Sequence, residues 1–206
     1  MTEKRKMFYL FAAAVLIVLA YFGWKLTARS AYESAGYTVV ESDEPFEIRE
    51  YPDLMLATTD MRFESQGNDG SFMRLFRYID GGNNEEQKVA MTTPVFMEPE
   101  NAETQGQMGF VIPKKVTEQH IPEPSDENVQ IQKRIGGRFA VIRFSGRMGS
   151  EANAQAEAKL RQWMKEKELV SDGDSEFAGY DPPWTPGPFR RNEILIRLKS
   201  SDYSPE

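Results

Sequence analysis

From residue 37 onward, the sequence repeats one order of elements, and this repeat constrains the fold more than any other feature. Short runs with an apolar residue at every second position, such as YTVVE at 37–41 and FEIREY at 46–51, are typical of half-buried strands. The order strand, strand, helix, strand, strand spans 37–112 and returns at 129–199. Because each half alone would leave one face of its sheet uncovered, we expect the two halves to share a core.

The remaining elements follow from the same patterns. In the first half we predict strands at 54–61, 89–97 and 107–112, and an amphipathic helix at 72–79 with Ser71 as its N-cap. In the second half we predict strands at 129–133, 138–144, 177–180 and 194–198, and a longer helix capped by Ser150. Gly136 and Gly137 join the first two of these strands, and the polar segment 113–128 connects the halves. The sequence therefore predicts an α+β fold, a duplicated antiparallel β-sheet with two helices and pseudo-twofold halves.

An uncharged segment, Met7–Trp24, precedes the repeated part. Its 18 residues would extend about 27 Å as a helix, close to the thickness of a bilayer core. The basic run at 4–6 comes before it, so the positive-inside bias favours a cytoplasmic N-terminus and an exported remainder. A cleaved signal peptide stays open as an alternative, with the same orientation. The expected parts are a cytoplasmic N-terminus, a transmembrane anchor, a linker, one domain and a tail, at 1–6, 7–26, 27–36, 37–199 and 200–206.

Charge and residue usage exclude several classes of function. Residues 1–30 hold five basic residues and one acidic residue, a net of +4, and the whole chain carries −7, so residues 31–206 carry −11. An acidic domain repels a phosphate backbone, so no nucleic-acid partner is expected. Without cysteine the chain cannot build thiolate metal sites, thiol nucleophiles or covalent haem attachment. His120 is the single histidine, so a histidine metal cluster is excluded as well.

Several segments match one family pattern, in order and spacing, across 37–199. They are YTVVESDEPFEIREY at 37–51, FRYIDGGN at 76–83, KVAMTTPV at 88–95, GFVIP at 109–113, RFSG at 143–146 and GYDPPWTPGPFRRNE at 179–193. With these motifs the chain resembles the SOUL family of haem-binding proteins. Members of that family carry an M-T-x-P-V strand after the first helix and a Y-x-P-P…R-R-N-E segment near the C-terminus.

The resemblance implies a distorted β-barrel of two pseudo-symmetric halves with one helix each, a fold also similar to GyrI-like effector-binding domains. It further implies that haem or another tetrapyrrole binds noncovalently in an apolar groove beside the first helix, with basic side chains near the propionates. On this sequence, Phe72, Met73 and Phe76 correspond to the groove, and Arg77 corresponds to a propionate partner.

The helix residues have an alternative interpretation. Phe72, Phe76 and Ile79 have the spacing of a helix's own core stripe, which packs against the sheet without any ligand. Met73 and Arg77 lie one turn apart on a neighbouring face, so they are the better candidates for ligand contact.

Three residues outside the helix complete the candidate set. Trp184, in a proline-rich loop, either flanks the ligand or pins that loop to the domain. His120 is the candidate axial ligand of haem iron, although its polar surroundings favour a solvated loop histidine instead. Glu193 either pairs with Arg191 on the same side of its strand or acts as a carboxylate of raised pKa in an apolar pocket.

These observations rank three functions. The first is a noncatalytic protein that binds, buffers or passes on haem, another tetrapyrrole or an apolar small molecule. Its anchor would hold it in the inner membrane of a bacterium, with the domain in the periplasm. The second is a small-molecule hydrolase or effector-binding domain with Glu193 as its central carboxylate. The third is a membrane-tethered interaction module with an empty groove, and the sequence indicates no particular protein partner.

Overall fold

The computed structural model describes residues 3–27, 32–65, 68–101, 105–182 and 184–199. The chain divides into two compact units, Met1–Ala31 and Tyr32–Glu206. In the first unit, helix α1 spans Glu3–Thr27. The large apolar side chains described between Met7 and Val18 on this helix are 41% to 71% exposed. Among the described residues, no helix combines the length and the apolar character needed to cross a membrane.

The second unit mixes strands and three further helices in its described residues. In chain order, its first half contains β1 (Glu33–Ser34), β2 (Thr38–Asp43), β3 (Phe46–Tyr51), β4 (Leu54–Asp60), α2 (Ser71–Ile79), β5 (Thr92–Thr93), β6 (Val95–Glu98) and β7 (Gln107–Val111). Its second half contains α3 (Lys114–Thr117), β8 (Gln130–Arg134), β9 (Gly137–Phe144), α4 (Ser150–Glu166), β10 (Ser171–Gly179) and β11 (Asn192–Leu198). Short 3₁₀ turns lie at Phe63–Ser65 and Gly187–Phe189.

One antiparallel sheet of nine strands forms the centre of this unit, in the order β2-β3-β9-β11-β10-β6-β7-β4-β8. The sheet is open, because within the described residues β2 pairs only with β3 and β8 only with β4. The expectation of a distorted barrel is therefore wrong. Exposed charged side chains on the two edge strands, such as Asp43 and Lys133, are typical of edges that do not pair. Strands β1 and β5 form a separate parallel pair.

The strand order relates the two halves of the sheet. In the sequence repeat, β3 corresponds to β8, β4 to β9, β6 to β10 and β7 to β11. The order from β3 to β8 then reads the same from either end. The central neighbours β6 and β10 are antiparallel, as a twofold axis between them requires. The first strand of each repeat, β3 or β8, joins the sheet of the other half, since β3 pairs with β9 and β8 pairs with β4.

The links between these exchanged strands pack against each other. Gly136 and Gly137 join β8 to β9, as predicted, but the two strands do not pair with one another. The backbone N–H of Gly136 donates to the Asp53 carboxylate at 2.8 Å, which ties the β8–β9 link to the β3–β4 link. A Cβ at Gly136 would collide with the carbonyl oxygen of Tyr51. Glycine is therefore required where the two links meet.

Several predicted boundaries differ from the structure. The strand predicted at 89–97 is broken at Pro94, which has no N–H to give to a ladder, and the strand predicted at 177–180 is longer, at Ser171–Gly179. The predicted N-caps Ser71 and Ser150 are instead the first residues of their helices. At the first of these helices the Ser71 hydroxyl faces Met108 Sδ at 3.9 Å, so it does not cap the backbone.

Each helix of the repeat covers the sheet of its own half. Helix α2 packs on β4 and β7, and α4 packs on β9 and β11. Leu75, Leu160 and Trp163 lie in the core between these helices and the sheet. Tyr51 and Phe139 belong to a second core cluster, which contains no helix residue. Its strand residues alternate with those of the first cluster, so they lie on the opposite face of the sheet.

Candidate functional site

Helix α2 has one buried face and one exposed face. Leu75 and Tyr78 are buried against the sheet, as the amphipathic pattern requires. Met73 is 48% exposed and Phe76 is 40% exposed. Of the three residues that could have formed a core stripe, only Ile79 is fully buried, while Phe72 is half-buried and packs against the core. Two of the four predicted groove and propionate residues on α2 are thus exposed apolar side chains.

The two phenylalanines of α2 form a layered aromatic surface. The ring of Phe72 is nearly parallel to that of Phe76, with an interplanar angle of 13° and centroids 6.3 Å apart. Its other side meets the edge of Phe110 on β7, with centroids 5.2 Å apart. Contact with the sheet fixes the position of Phe72, which in turn supports the outer ring of Phe76. A supported, exposed ring can stack against another flat apolar molecule.

The two arginines of α2 differ in the contacts that they make. Arg74 donates to the Thr59 hydroxyl at 3.0 Å and to the Asp60 carbonyl at 2.6 Å, so its guanidinium is used inside the domain. Arg77 is exposed, and its guanidinium makes no hydrogen bond or salt bridge with any residue that the structure describes. Asp126 is near enough for both arginines to contribute to lowering its pKa, although its main partner is the backbone N–H of Asn128. Arg77 can therefore give its donors to a carboxylate from outside.

Helix α4 occupies the matching place in the other half and presents a different surface. Its exposed residues between 151 and 166 are charged residues, glutamines and alanines. Its large apolar side chains, Leu160, Trp163 and Met164, are buried. The fold therefore does not require a helix in this position to expose large apolar side chains. The exposed apolar face of α2 is a property of its own sequence.

A second polar centre surrounds Glu193 on β11. Its carboxylate accepts two hydrogen bonds from Arg49, at 2.6 and 2.9 Å. It also accepts one from Tyr180 at 2.9 Å and one from Arg191 Nε at 2.8 Å. Both Arg49 and Glu193 are completely buried. Alternation along the strand predicted the pairing with Arg191, and the structure confirms it.

The charge state of Glu193 follows from these contacts. Burial alone would raise the pKa of this carboxyl, but the hydrogen bonds and charge of Arg49, together with Arg191, hold the pKa below its usual range. Burial raises the pKa of Tyr180 well above its usual value, and the neighbouring Glu193 carboxylate adds to this. The expectation that Glu193 has a raised pKa in an apolar pocket is wrong. A shielded, ion-paired carboxylate stabilises the fold and has no access to a substrate.

The sequence did not indicate most of this cluster. Arg49 stacks on Tyr37 with its guanidinium carbon 4.2 Å from the ring centroid, and Arg191 donates to the Tyr37 hydroxyl at 3.0 Å. The FEIREY segment marked β3 as a strand, but alternation alone does not tell which strand across the sheet receives Arg49. No local signal could have joined residues 144 positions apart.

No described contact joins the other two candidate ligands to the exposed residues of α2. His120 is in an exposed loop, with its side chain 67% exposed and Nε2 2.9 Å from the Glu85 carboxylate. Trp184 is 66% exposed and, among the described rings, makes no ring contact with Phe72 or Phe76. The structure thus brings together Phe72, Met73, Phe76 and Arg77 but not these two residues. An iron-ligand role for His120 stays a prediction.

A cleft of about 430 Å³ lies beside the start of α2, lined by Asp60, Met61, Arg62, Asp69, Glu100, Gln105 and Gly106. Two of its carboxylates are used within the loops. Asp69 accepts hydrogen bonds from the backbone N–H groups of Arg62 and Ser71, and Glu100 accepts one from Phe63. Hydrogen bonds to these N–H groups outweigh the effect of burial and lower the pKa of Asp69 to about 2. Within the described residues, no group of three or more acidic or histidine side chains could hold a metal ion.

Residues 32–197 match the family described as SOUL heme-binding protein. The chain belongs to this family. It is 28% identical to Heme-binding protein 1 of Xenopus laevis over 156 residues, which cover 72% of this chain and 81% of the relative. It is 32% identical to Heme-binding protein 1 of Mus musculus over 130 residues, which cover 60% and 67% of the two chains. With Heme-binding protein 2 of Homo sapiens it shares 29% identity over 171 residues, covering 76% and 82%.

Solved structures with a similar fold have much lower identity. The C-terminal domain of EcmrR superposes with a TM-score of 0.52 at 12% identity, over 80% of this SOUL-family chain and 99% of that domain. An uncharacterized conserved protein from Listeria innocua has a TM-score of 0.55 at 10% identity, over 74% and 91% of the two chains. At these identities the likeness concerns the fold alone.

Proposed function

We propose that this SOUL-family protein binds haem or a related tetrapyrrole noncovalently on the exposed face of α2. The observation that carries the proposal is the supported aromatic and methionine surface of that helix beside an arginine with no described partner. The corresponding surface of α4 is polar, so this feature distinguishes one half from the other. The relatives named as heme-binding proteins support the same ligand class.

The residues present fit a flat macrocycle that carries carboxylates. A tetrapyrrole has apolar faces, which Phe76 and Met73 can cover, and Phe72 holds the Phe76 ring in place. Arg77, one turn beyond Met73, can donate to one propionate, while the other propionate stays in water. Haem would add an iron centre, for which α2 itself provides no histidine. The protein's own part is to hold the ring and one carboxylate.

The proposed role is to bind, buffer or pass on the ligand rather than to transform it. A half-exposed surface leaves a bound ligand in contact with solvent, so the ligand can dissociate without a conformational change. The surface also has no acid or base at its centre to catalyse a reaction. The buried, ion-paired Glu193 gives no support to the alternative of a hydrolase or effector-binding domain built around that carboxylate. Haem held at an open face is suited to transfer between partners.

We also propose that Met7–Trp24 anchors the chain in the inner membrane of a bacterium, with the N-terminus in the cytoplasm and the domain in the periplasm. The uncharged run and the exposed apolar side chains described on α1 support this proposal, because a helix that is apolar all round needs a lipid or protein surface. Phosphatase and β-galactosidase fusions after residue 199 would test it. Active phosphatase is expected, and active β-galactosidase would contradict the orientation.

Hemin titration of the full-length chain tests the ligand proposal. A saturable shift of the Soret band near one equivalent is expected. Arg77→Glu should weaken binding at least about tenfold, because it replaces an attractive carboxylate contact by a repulsive one. Lys159→Glu makes the same charge change on the exposed side of α4 and should leave affinity unchanged. Absence of saturation, or equal loss in both variants, would contradict the proposed site.

A further inference from the structure

Two large aromatic side chains project from the segment 184–191, which leads into β11. Trp184 is 66% exposed and Phe189 is 70% exposed. In contrast, Trp163 is 5% exposed and donates its indole N–H to Asp43 at 2.9 Å. Burying such side chains is favourable, so two of them standing in water on one short segment indicate a surface that is covered in use.

This segment is held by backbone hydrogen bonds and is not a loose loop. The N–H of Gly146 donates to the carbonyl of Gly187 at 2.9 Å, and the N–H of Thr185 donates to the carbonyl of Pro182 at 3.0 Å. Arg190 Nε donates to the Thr185 carbonyl at 2.8 Å, and the N–H of Arg191 donates to the Asp181 carboxylate at 2.6 Å. The domain therefore presents both aromatic rings in a fixed place at little further cost in conformational entropy.

The surroundings of the aromatic pair are basic, although the domain is acidic. The side chain of Arg147 lies against Gly187, where an added Cβ would be 3.8 Å from Arg147 Cγ. Arg190 belongs to the segment itself, whereas Arg143, at the end of the neighbouring strand β9, is ion-paired with Glu193 and Glu47. Aromatic rings flanked by arginines match the chemistry of an anionic lipid interface.

The N-terminal part of the domain approaches the same end of the sheet. Ala35 donates its N–H to the Thr93 carbonyl at 2.7 Å, and Val95, two residues later, pairs with Gly179 at the end of β10. The chain continues from Gly179 into the loop that contains Trp184. Tyr32, the first residue of this unit, lies three residues before Ala35.

We propose that the segment 184–191 docks on the lipid interface, with Trp184 and Phe189 inserted at headgroup depth and Arg147 and Arg190 facing anionic headgroups. The inference rests on the proposed membrane anchoring and adds a second, peripheral contact. It gives the domain a fixed orientation on the membrane. It also separates the membrane-facing aromatic residues from the ligand-facing aromatic residues of α2.

Single-cysteine labelling of the full-length chain tests this docking, because the chain has no cysteine of its own. An environment-sensitive nitrobenzoxadiazole (NBD) fluorophore is attached in Phe189→Cys, in Ile135→Cys or in Val15→Cys. Ile135 is a matched control, since it is also apolar and 59% exposed, but it accepts a hydrogen bond from Arg197 at the opposite end of β11. The proteins are reconstituted in phosphatidylcholine–phosphatidylglycerol vesicles with lipids that carry a doxyl quencher.

Quenching at positions 15 and 189 but not at 135 is the expected result, and Trp184→Ser should weaken quenching at 189 several-fold. Quenching at 15 without quenching at 189 overturns the docking and leaves the anchor standing. If neither 15 nor 189 is quenched, both the docking and the anchor are wrong. Equal quenching at 189 and 135 also overturns the docking, because it indicates nonspecific adsorption. The hemin titration is independent of all of these outcomes.

Discussion

Glu193 shows most clearly which side-chain contacts the alternation of residues along a strand can predict and which it cannot. The pairing of Glu193 with Arg191 follows from their spacing on one strand, and the structure confirms it. The stronger partner, Arg49, comes from β3 in the other half and is recognisable only once the register of the sheet is known. The direction of the Glu193 pKa shift depends on Arg49, and without that contact the sequence left the ion pair and the raised pKa open as alternatives.

Glu193→Gln should lower the free energy of unfolding by about 3–5 kcal/mol, because it removes the buried counter-charge of Arg49 and leaves that arginine only the partly buried Glu47 as an acidic partner. Urea denaturation of the full-length chain, followed by near-UV circular dichroism, measures the change. Glu127→Gln removes an exposed carboxylate and serves as the control, with an expected change within about 0.5 kcal/mol. Equal stability of the two variants would show that the ion pair contributes little.

The same carboxylate predicts a pH dependence. Since the pKa of Glu193 is lower in the folded state than its usual 4.5, its contribution is fully present above that value and is lost as pH falls through the lowered folded-state pKa. The stability difference between the native protein and Glu193→Gln should therefore shrink as the pH decreases from about 6 to about 2. Denaturation curves across that range measure it. A difference that stays constant would contradict the shift.

At the scale of elements, the sequence pattern located α2 and α4 but not the difference between their outer faces. Periodicity identifies a buried stripe, and Leu160, Trp163 and Met164, which share one face of α4, are buried in the core. On α2 the periodicity could not show whether Phe76 faces the core or the solvent, because the helix is short and one of its sides lies near the edge of the sheet. The structure decides this through the orientation of the helix on β4 and β7.

Two substitutions on α2 separate packing from ligand contact. Leu75→Ala should cost about 2–5 kcal/mol of stability, because Leu75 is completely buried. Met73→Ala should change stability by less than about 0.5 kcal/mol and yet weaken hemin binding, because Met73 is 48% exposed on the proposed ligand face. Thermal denaturation and hemin titration of both variants provide the measurements. A Met73→Ala variant with native affinity would exclude this residue from the site.

For the whole molecule, the repeat in the sequence predicted an antiparallel α+β fold, but not how the halves are joined. Each half gives one strand, β3 or β8, to the other, and the links at Asp53 and Gly136 are in direct contact. Local patterns cannot reveal this exchange, because a strand's alternation is the same whichever neighbour it has. The open edges at β2 and β8 were missed for the same reason.

The exchange of strands predicts that neither half folds alone. A fragment of residues 32–126 keeps β3 but lacks β9, its partner, and a fragment of residues 127–199 keeps β8 but lacks β4. Each fragment alone should show no cooperative unfolding, and mixing the two should restore it. Circular dichroism melting of the separate and mixed fragments tests this. A cooperative transition in either isolated fragment would contradict the strand exchange.

The central claim is that one of two matching helices, α2, has become a ligand face. The most direct test is nuclear magnetic resonance mapping of the full-length protein with gallium protoporphyrin IX, a diamagnetic haem analogue. We expect shifts in the amide and side-chain signals of Phe72, Met73, Phe76 and Arg77, with the signals of α4 unchanged. Shifts centred on α4 or on the segment 184–191, with α2 unaffected, would contradict it.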